Sequence, residues 1–143
     1  MSKMTGAPSR KENLKIILDS NALFVPLQFG IDIFTEIEKV VQQRYELVLL
    51  SPVKCELDAL SKKAAPKIRK NASYALKLAE KCRFIKIQSN ASTTTDDIIL
   101  KTATEWRSPV FTNDRQLRKR LRDISMPVIY VRHKSRLEID GMI

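Results

Sequence analysis

The chain contains the stretch LKIILDSN at residues 14–21, in which an apolar run, Leu14 to Leu18, ends directly at Asp19. Similar short apolar runs at 46–50, 84–87, 109–112 and 127–131 alternate with segments of helical period. This alternation predicts an α/β fold with a central parallel sheet of about five strands and helices on both faces. In such sheets ligands bind beyond the carboxyl ends of the strands, at the point where the strand order reverses.

Length and composition indicate one globular domain. A chain of 143 residues suits a single domain, and we expect residues 1–13 to form a flexible basic arm before a domain at 14–143. No apolar run is long enough to span a membrane, and the N-terminus lacks the apolar stretch of a secretory signal. Cys55 and Cys82 form no Cys-x-x-Cys pair, so we expect free thiols and a cytoplasmic location.

The charge distribution suggests a polyanionic partner. There are 26 Lys and Arg residues against 16 Asp and Glu residues, which gives a net charge of +10. The segments 62–83 and 115–136 each hold eight basic residues and one acid. An excess of this kind is typical of proteins that bind nucleic acid.

Five acids from four segments fall at the predicted carboxyl edge of the sheet. Asp19 follows the first apolar run, Asp114 follows the fourth, Asp96 and Asp97 begin the helix that leads into the fourth, and Glu56 lies one turn into another helix. Each acid alone could be a helix cap or a partner of a helix dipole. Together they would repel one another unless a cation lies between them, and oxygen ligands alone favour Mg²⁺ or Mn²⁺.

The same residues carry a resemblance to PIN-domain ribonucleases. The matching segments, in chain order, are IILDSNAL at 16–23, VKCEL at 53–57, TDDII at 95–99 and VFTND at 110–114. The later segments TNDRQLRKRL at 112–121 and MPVIYVR at 126–132 resemble the archaeal relatives of the eukaryotic endonuclease that processes small-subunit ribosomal RNA. A looser similarity extends to VapC-type toxins.

The resemblance implies a metal-dependent endoribonuclease that hydrolyses internal RNA phosphodiesters and leaves 5′-phosphate and 3′-hydroxyl ends. Asp19 would be the central Mg²⁺ or Mn²⁺ ligand, Asp96 and Asp114 would complete the set, and Glu56 would bind directly or through water. Asp97 could replace Asp96. The positions beside these acids are Ser20, Asn21, Thr112 and Asn113. The expected RNA contacts, each of which could instead be a solvated helix face, are Arg115, Arg118, Lys119, Arg120, Arg122, Lys67, Arg69 and Lys70.

Three kinds of protein remain open from the sequence. The first is an active endoribonuclease, either a ribosomal RNA maturation factor, with a protein partner in ribosome assembly, or a toxin, with an antitoxin. The second is a PIN scaffold that binds RNA without cutting it. The third, a phospho-acceptor receiver domain, is disfavoured because Ser20 and Asn21 follow Asp19 where paired acids are expected. A homodimer through the apolar segment 31–41 is also possible.

Overall fold

The computed structural model of the chain describes residues 13–63, 65–88, 90 and 92–143. The predicted N-terminal arm, residues 1–13, lies outside these residues apart from Asn13. The strands are β1 (Leu14–Leu18), β2 (Tyr45–Leu50), β3 (Arg83–Ile85), β4 (Val110–Phe111), β5 (Val128–Arg132) and β6 (Arg136–Asp140). The helices are a 3₁₀ helix (Ser20–Phe24), α1 (Val25–Phe29), α2 (Ile33–Val41), α3 (Ser51–Lys63), α4 (Pro66–Ala79), α5 (Thr95–Trp106) and α6 (Arg115–Asp123).

The strands form one six-stranded sheet in the order β3-β2-β1-β4-β5-β6. The first five strands are parallel, and β6 pairs antiparallel with β5. The predicted α/β class is thereby confirmed. The expected count of about five strands omits β6, because the stretch RLEID carries three charged residues in five and has the composition of a polar tail.

The central strand β1 is covered on both faces. Ile16, Ile17 and Leu18 point alternately to opposite faces, and all three are fully buried. A continuous apolar run without polar alternation is typical of a parallel strand that helices cover on both sides. This burial on both faces explains why the first strand is apolar at nearly every position.

The apolar segment 31–41 contains helix α2, which begins at Ile33 and ends at Val41. Asp32 caps α2 by accepting hydrogen bonds from the backbone N–H groups of Phe34 and Thr35 at 3.1 and 3.3 Å. Gln42 ends the helix in a left-handed conformation with φ 55°. Most apolar residues of this segment contribute to the chain's own core, and the homodimer expected through it stays a prediction.

The helices carry no membrane-crossing segment within the described ranges, since none of them is both long and apolar enough.

The topology creates a switch point between β1 and β4. From β1 the chain builds β2 and β3 on one side, then returns through α5 to place β4 directly against the other side of β1. Leu18 of β1 pairs with Phe111 of β4, so the residues that follow them, Asp19 and Thr112, begin the same crevice at the carboxyl edge.

Candidate functional site

Asp19 is the buried carboxylate of this crevice. Its side chain is only 5% exposed. Oδ1 accepts from the backbone N–H of Ser20 at 2.8 Å, and Oδ2 accepts from Asn21 Nδ2 at 3.0 Å and from the Thr112 hydroxyl at 2.7 Å. Three donors compensate the loss of hydration and fix the direction of the carboxylate. The same residue also caps the 3₁₀ helix. Asp19 therefore has the capping role considered from the sequence and also lies in the crevice.

Asn21, Thr112 and Asn113 join the ends of three strands around that carboxylate. The Thr112 hydroxyl donates to Asp19 and accepts from the backbone N–H of Asp114 at 3.0 Å. Asn21 Oδ1 accepts from the backbone N–H of Asn113 at 2.9 Å, and Asn113 Oδ1 accepts from the backbone N–H of Val131 at 3.0 Å. The four residues that the sequence placed beside the acids, Ser20 included, therefore all hydrogen-bond within this crevice.

Asp114 lies across the crevice at the start of α6. Its Oδ1 accepts from the backbone N–H groups of Gln116 and Leu117 at 2.8 and 3.1 Å, so it is the N-cap of that helix. Its Oδ2 accepts no hydrogen bond from the described part of the chain. One oxygen thus anchors the carboxylate and the other is available to a ligand.

Asp96 is the acid whose ionisation the other acids affect. Desolvation raises the pKa of this half-buried carboxyl above its ordinary 3.8, and the negative charges of Asp19, Asp114 and Glu56 raise it further. Arg120 opposes them with a smaller effect. Three acids from three other segments are therefore close enough for their charges to act on the Asp96 carboxyl group, with Glu56 at the exposed margin on α3.

Asp97 has a different environment from its neighbour. Its Oδ1 accepts a hydrogen bond from Arg120 Nη2 at 2.8 Å, and this contact lowers the pKa of its exposed carboxyl. The sequence left Asp96 and Asp97 as alternatives for one role. The geometry groups Asp96 with the other acids and pairs Asp97 with an arginine of α6.

The acids share a crevice without forming a finished metal cage. Among the described residues, no three Asp, Glu, His or Cys side chains stand close enough together to surround a metal ion. The donor set nevertheless fits a hard divalent cation, because it consists of carboxylate oxygens whose mutual repulsion a cation would offset. The metal site predicted from the sequence stays a prediction.

The basic side chains of α6 fall into two groups. Arg118 and Arg122 both pair with Asp140 of β6, at 3.0 and 3.2 Å, and Arg120 pairs with Asp97. The other two, Arg115 and Lys119, are exposed and have no ion pair within the described ranges. The candidates of α4, namely Lys67, Arg69 and Lys70, are exposed in the same way.

Comparison with known proteins identifies the family. The model of the PIN like domain matches residues 16–134, which is most of the chain. The chain belongs to the PIN-like domain family. The resemblance inferred from the sequence motifs is therefore confirmed.

Individual PIN proteins resemble the chain over nearly its whole length. It is 34% identical over 130 residues to ribonuclease VapC4 of Methanocaldococcus jannaschii, which covers 90% of this chain and 98% of the relative. The PIN domain endonuclease Utp24 has the same fold with a TM-score of 0.75 at 23% identity, covering 94% and 97% of the two chains. VapBC2 of Rickettsia felis, bound to a promoter DNA fragment, matches with a TM-score of 0.57 at 16% identity over 75% of this chain and 92% of that one.

Two residues organise the basic side of this PIN domain, and sequence reasoning assigned no role to the first of them, Asp140. Asp140 holds two arginines of α6, and the ring of Tyr130 lies 3.6 Å from the Arg118 guanidinium. The alternation of Leu137 and Ile139 with charged residues was the only signal for the strand that carries Asp140.

The clustering of charge around Asp96 predicts that Asp96→Asn stabilises the fold at neutral pH. Because its folded-state pKa lies above the ordinary 3.8, ionisation costs stability as the pH rises through that raised pKa, and the cost is absent below pH 3.8. We expect Asp96→Asn to raise Tm at pH 7 by roughly 2–5 °C and to lose this gain near pH 3.

The control is Asp97→Asn at the adjacent position. The pKa of Asp97 is lowered, so its charge is favoured by Arg120, and the neutral variant should show no gain at pH 7. Thermal melts at both pH values measure the difference, and equal behaviour of the two variants would contradict the grouping of the acids.

Thr112 is predicted to stabilise the crevice through its hydroxyl. In Thr112→Val, Asp19 loses a donor and the backbone N–H of Asp114 loses its acceptor, so the free energy of unfolding should fall by about 1–3 kcal/mol. Thr112→Ser should restore most of it. Thr104→Val, at an exposed threonine of α5, should stay within about 0.5 kcal/mol of wild type in denaturant melts. A Ser variant as unstable as the Val variant would show that packing, not the hydroxyl, is responsible.

Proposed function

We propose that this PIN domain is a metal-dependent endoribonuclease that hydrolyses internal phosphodiester bonds of RNA. The observation that carries the proposal is the crevice at the β1–β4 switch, where burial and the negative charges of Asp19, Asp114 and Glu56 raise the pKa of Asp96. Acids that destabilise one another at the ligand-binding edge of a parallel sheet are typical of a functional site. The name of the relative VapC4, a ribonuclease, supports the same activity.

Asp19, Asp96, Asp114 and Glu56 are the residues that would hold Mg²⁺ or Mn²⁺. PIN-domain nucleases generally use divalent metal ions. When bound, such a cation favours the ionisation of water at neutral pH and offsets the negative charge that develops on the phosphate. We assign Asp97 to Arg120 rather than to the metal, because their hydrogen bond and the lowered pKa of Asp97 keep that carboxylate in an ion pair.

The residues around the acids prepare the site for this chemistry. Ser20, Asn21 and Thr112 hold the Asp19 carboxylate in one orientation, which reduces the reorganisation needed when a ligand binds. Asp114 keeps one oxygen for the ligand while α6 fixes the other. Glu56 is exposed, so substrate can approach from its side.

Exposed basic residues would bind the RNA backbone. Arg115 and Lys119 on α6, which begins directly after Asp114, are free of ion pairs within the described ranges. The α4 residues Lys67, Arg69 and Lys70 would provide a second contact area. Arg118, Arg120 and Arg122 are engaged by acids, so their contribution to RNA binding would be smaller than the sequence suggests.

The RNA substrate we propose is ribosomal RNA, with the cytoplasm as the location of the reaction. The basic segment 115–136 favours a large, structured RNA target, and Cys55 and Cys82 are free thiols. The second candidate is a toxin ribonuclease with an antitoxin partner, which the 34% identity to VapC4 favours. A ribosome assembly partner would accompany the first role.

The test is cleavage of 5′-labelled RNA. Substrates are a small-subunit ribosomal RNA fragment that spans the mature end, and transfer RNA, each with Mg²⁺, Mn²⁺ or EDTA. We expect discrete metal-dependent cuts, and at least about a 100-fold lower rate for Asp19→Asn and for Glu56→Gln. The control Asp58→Asn removes a partly exposed carboxylate from the same helix as Glu56, where it pairs with Lys54, and should cleave like wild type.

The position of the cuts separates the candidate roles. Cuts at the mature ribosomal RNA end support maturation, whereas cuts only at other positions or in the second RNA support the toxin. Tight binding without a cut in any metal, equal for all variants, would contradict the nuclease and leave an RNA-binding scaffold.

A further inference from the structure

A basic cleft of about 520 Å³ opens on the β5 side of the acidic crevice. Thr112 and Asn113 form part of its wall, so it adjoins the hydrogen bonds that hold Asp19. Its lining includes Arg115 and Arg118 of α6 and the consecutive residues Arg132, His133 and Lys134. No acidic residue of the described chain lines it.

The hairpin between β5 and β6 presents the last three of these residues in a strained turn. Ser135 N donates to Arg132 O at 3.1 Å, and both residues between them have positive φ, 55° for His133 and 56° for Lys134. Turns of this kind favour Asn-Gly, and lysine adopts this conformation only at a cost. Strained backbone is concentrated at functional sites, and here it directs three neighbouring basic residues toward one cleft.

Among the residues that the structure describes, no carboxylate pairs directly with Arg132, whose position is fixed by other groups. Its Nη1 donates to the Tyr130 hydroxyl at 3.2 Å, and its Nε donates to His133 Nε2 at 3.3 Å. Glu138, the acid of the same hairpin that contacts Tyr130, pairs with Arg136 at 2.8 Å. The guanidinium is therefore preorganised by neutral groups, and its charge is available to an anion.

We propose that this cleft binds the phosphate backbone of the RNA strand next to the cleaved bond, with Arg132, His133 and Lys134 on one phosphate group and Arg115 on its neighbour. The assignment rests on the proposed function and extends it to a specific path for the substrate. An acidic protein segment is a poorer occupant of the cleft. Its carboxylates would approach the acids of the crevice, and it carries no phosphodiester bond that could be hydrolysed there. An RNA phosphate on the same path arrives at the acids as the reacting group.

The test measures affinity for a short single-stranded RNA in EDTA, so that binding is recorded without turnover. Arg132→Ala/Lys134→Ala is compared with Arg44→Ala/Arg107→Ala. The second variant removes the same charge at the amino ends of β2 and β4, opposite the carboxyl edge that holds the crevice. Arg107 also has a positive φ, 52°, so the control matches the backbone setting of Lys134. Oligoglutamate serves as the acidic peptide probe in the same assay.

The hairpin variant should bind RNA about tenfold more weakly than wild type at moderate salt, and its slope of log affinity against log salt should be shallower by about 0.7, the change expected for one lost phosphate contact. The control should retain most of the affinity. Equal losses in the two variants would overturn the proposal in favour of general electrostatic attraction. Loss of oligoglutamate binding alone would overturn it in favour of an acidic protein partner.

A second variant separates binding from folding. His133→Asn/Lys134→Gly places the preferred residues in the turn, so Tm should rise by about 3 °C while RNA affinity falls. A gain in Tm with unchanged affinity would contradict the role of these side chains. Because RNA affinity and Tm are measured in EDTA, these results remain valid even if the cleavage assay detects no nuclease activity. Normal cleavage together with unchanged RNA binding would refute the cleft proposal and leave the proposed nuclease function intact.

Discussion

The buried carboxylate of Asp19 at the β1–β4 switch is the constraint on which the site depends. A charged group that is 5% exposed needs several hydrogen-bond donors, and the chain supplies them from Ser20, Asn21 and Thr112. Thr112 can serve only because β4 is parallel to β1 in the register that pairs Leu18 with Phe111. The hydrogen bonding of Asp19 therefore depends on the order and register of the strands.

The protein combines a strongly positive chain with a small negative crevice. The net charge of +10 attracts polyanions from solution, while the acids at the switch repel one another and an approaching phosphate alike. The basic hairpin and Arg115 border the crevice, so a polyanion held there lies beside the acids rather than on them. A divalent cation in the crevice would offset both the carboxylate charges and the charge of the phosphate. The metal requirement is therefore central to the proposed activity.

Strand ends were predictable from the sequence, and the choice between neighbouring side chains was not. Asp19 and Asp114 could be located because each ends an apolar run, and parallel strands bring such ends to one edge. Asp96 and Asp97 could not be distinguished, because adjacent helical residues differ in direction and only the position of Arg120 decides which acid it engages.

The strand β6 was missed because its charged residues alternate with apolar ones. Asp140, the partner of Arg118 and Arg122, was missed with it. The helical segment 20–29 was missed because it consists of two short pieces, the second ending at Gly30 with φ 65°.

The metal site is tested most directly by a crystal structure of the protein grown with Mn²⁺, with anomalous difference maps for wild type and Asp19→Asn. We expect a peak between the carboxylates of Asp19, Asp96 and Asp114 in wild type, absent from the variant. Mn²⁺ bound elsewhere on the protein, with no peak in this crevice, would contradict the claim that these acids form a metal-binding active site.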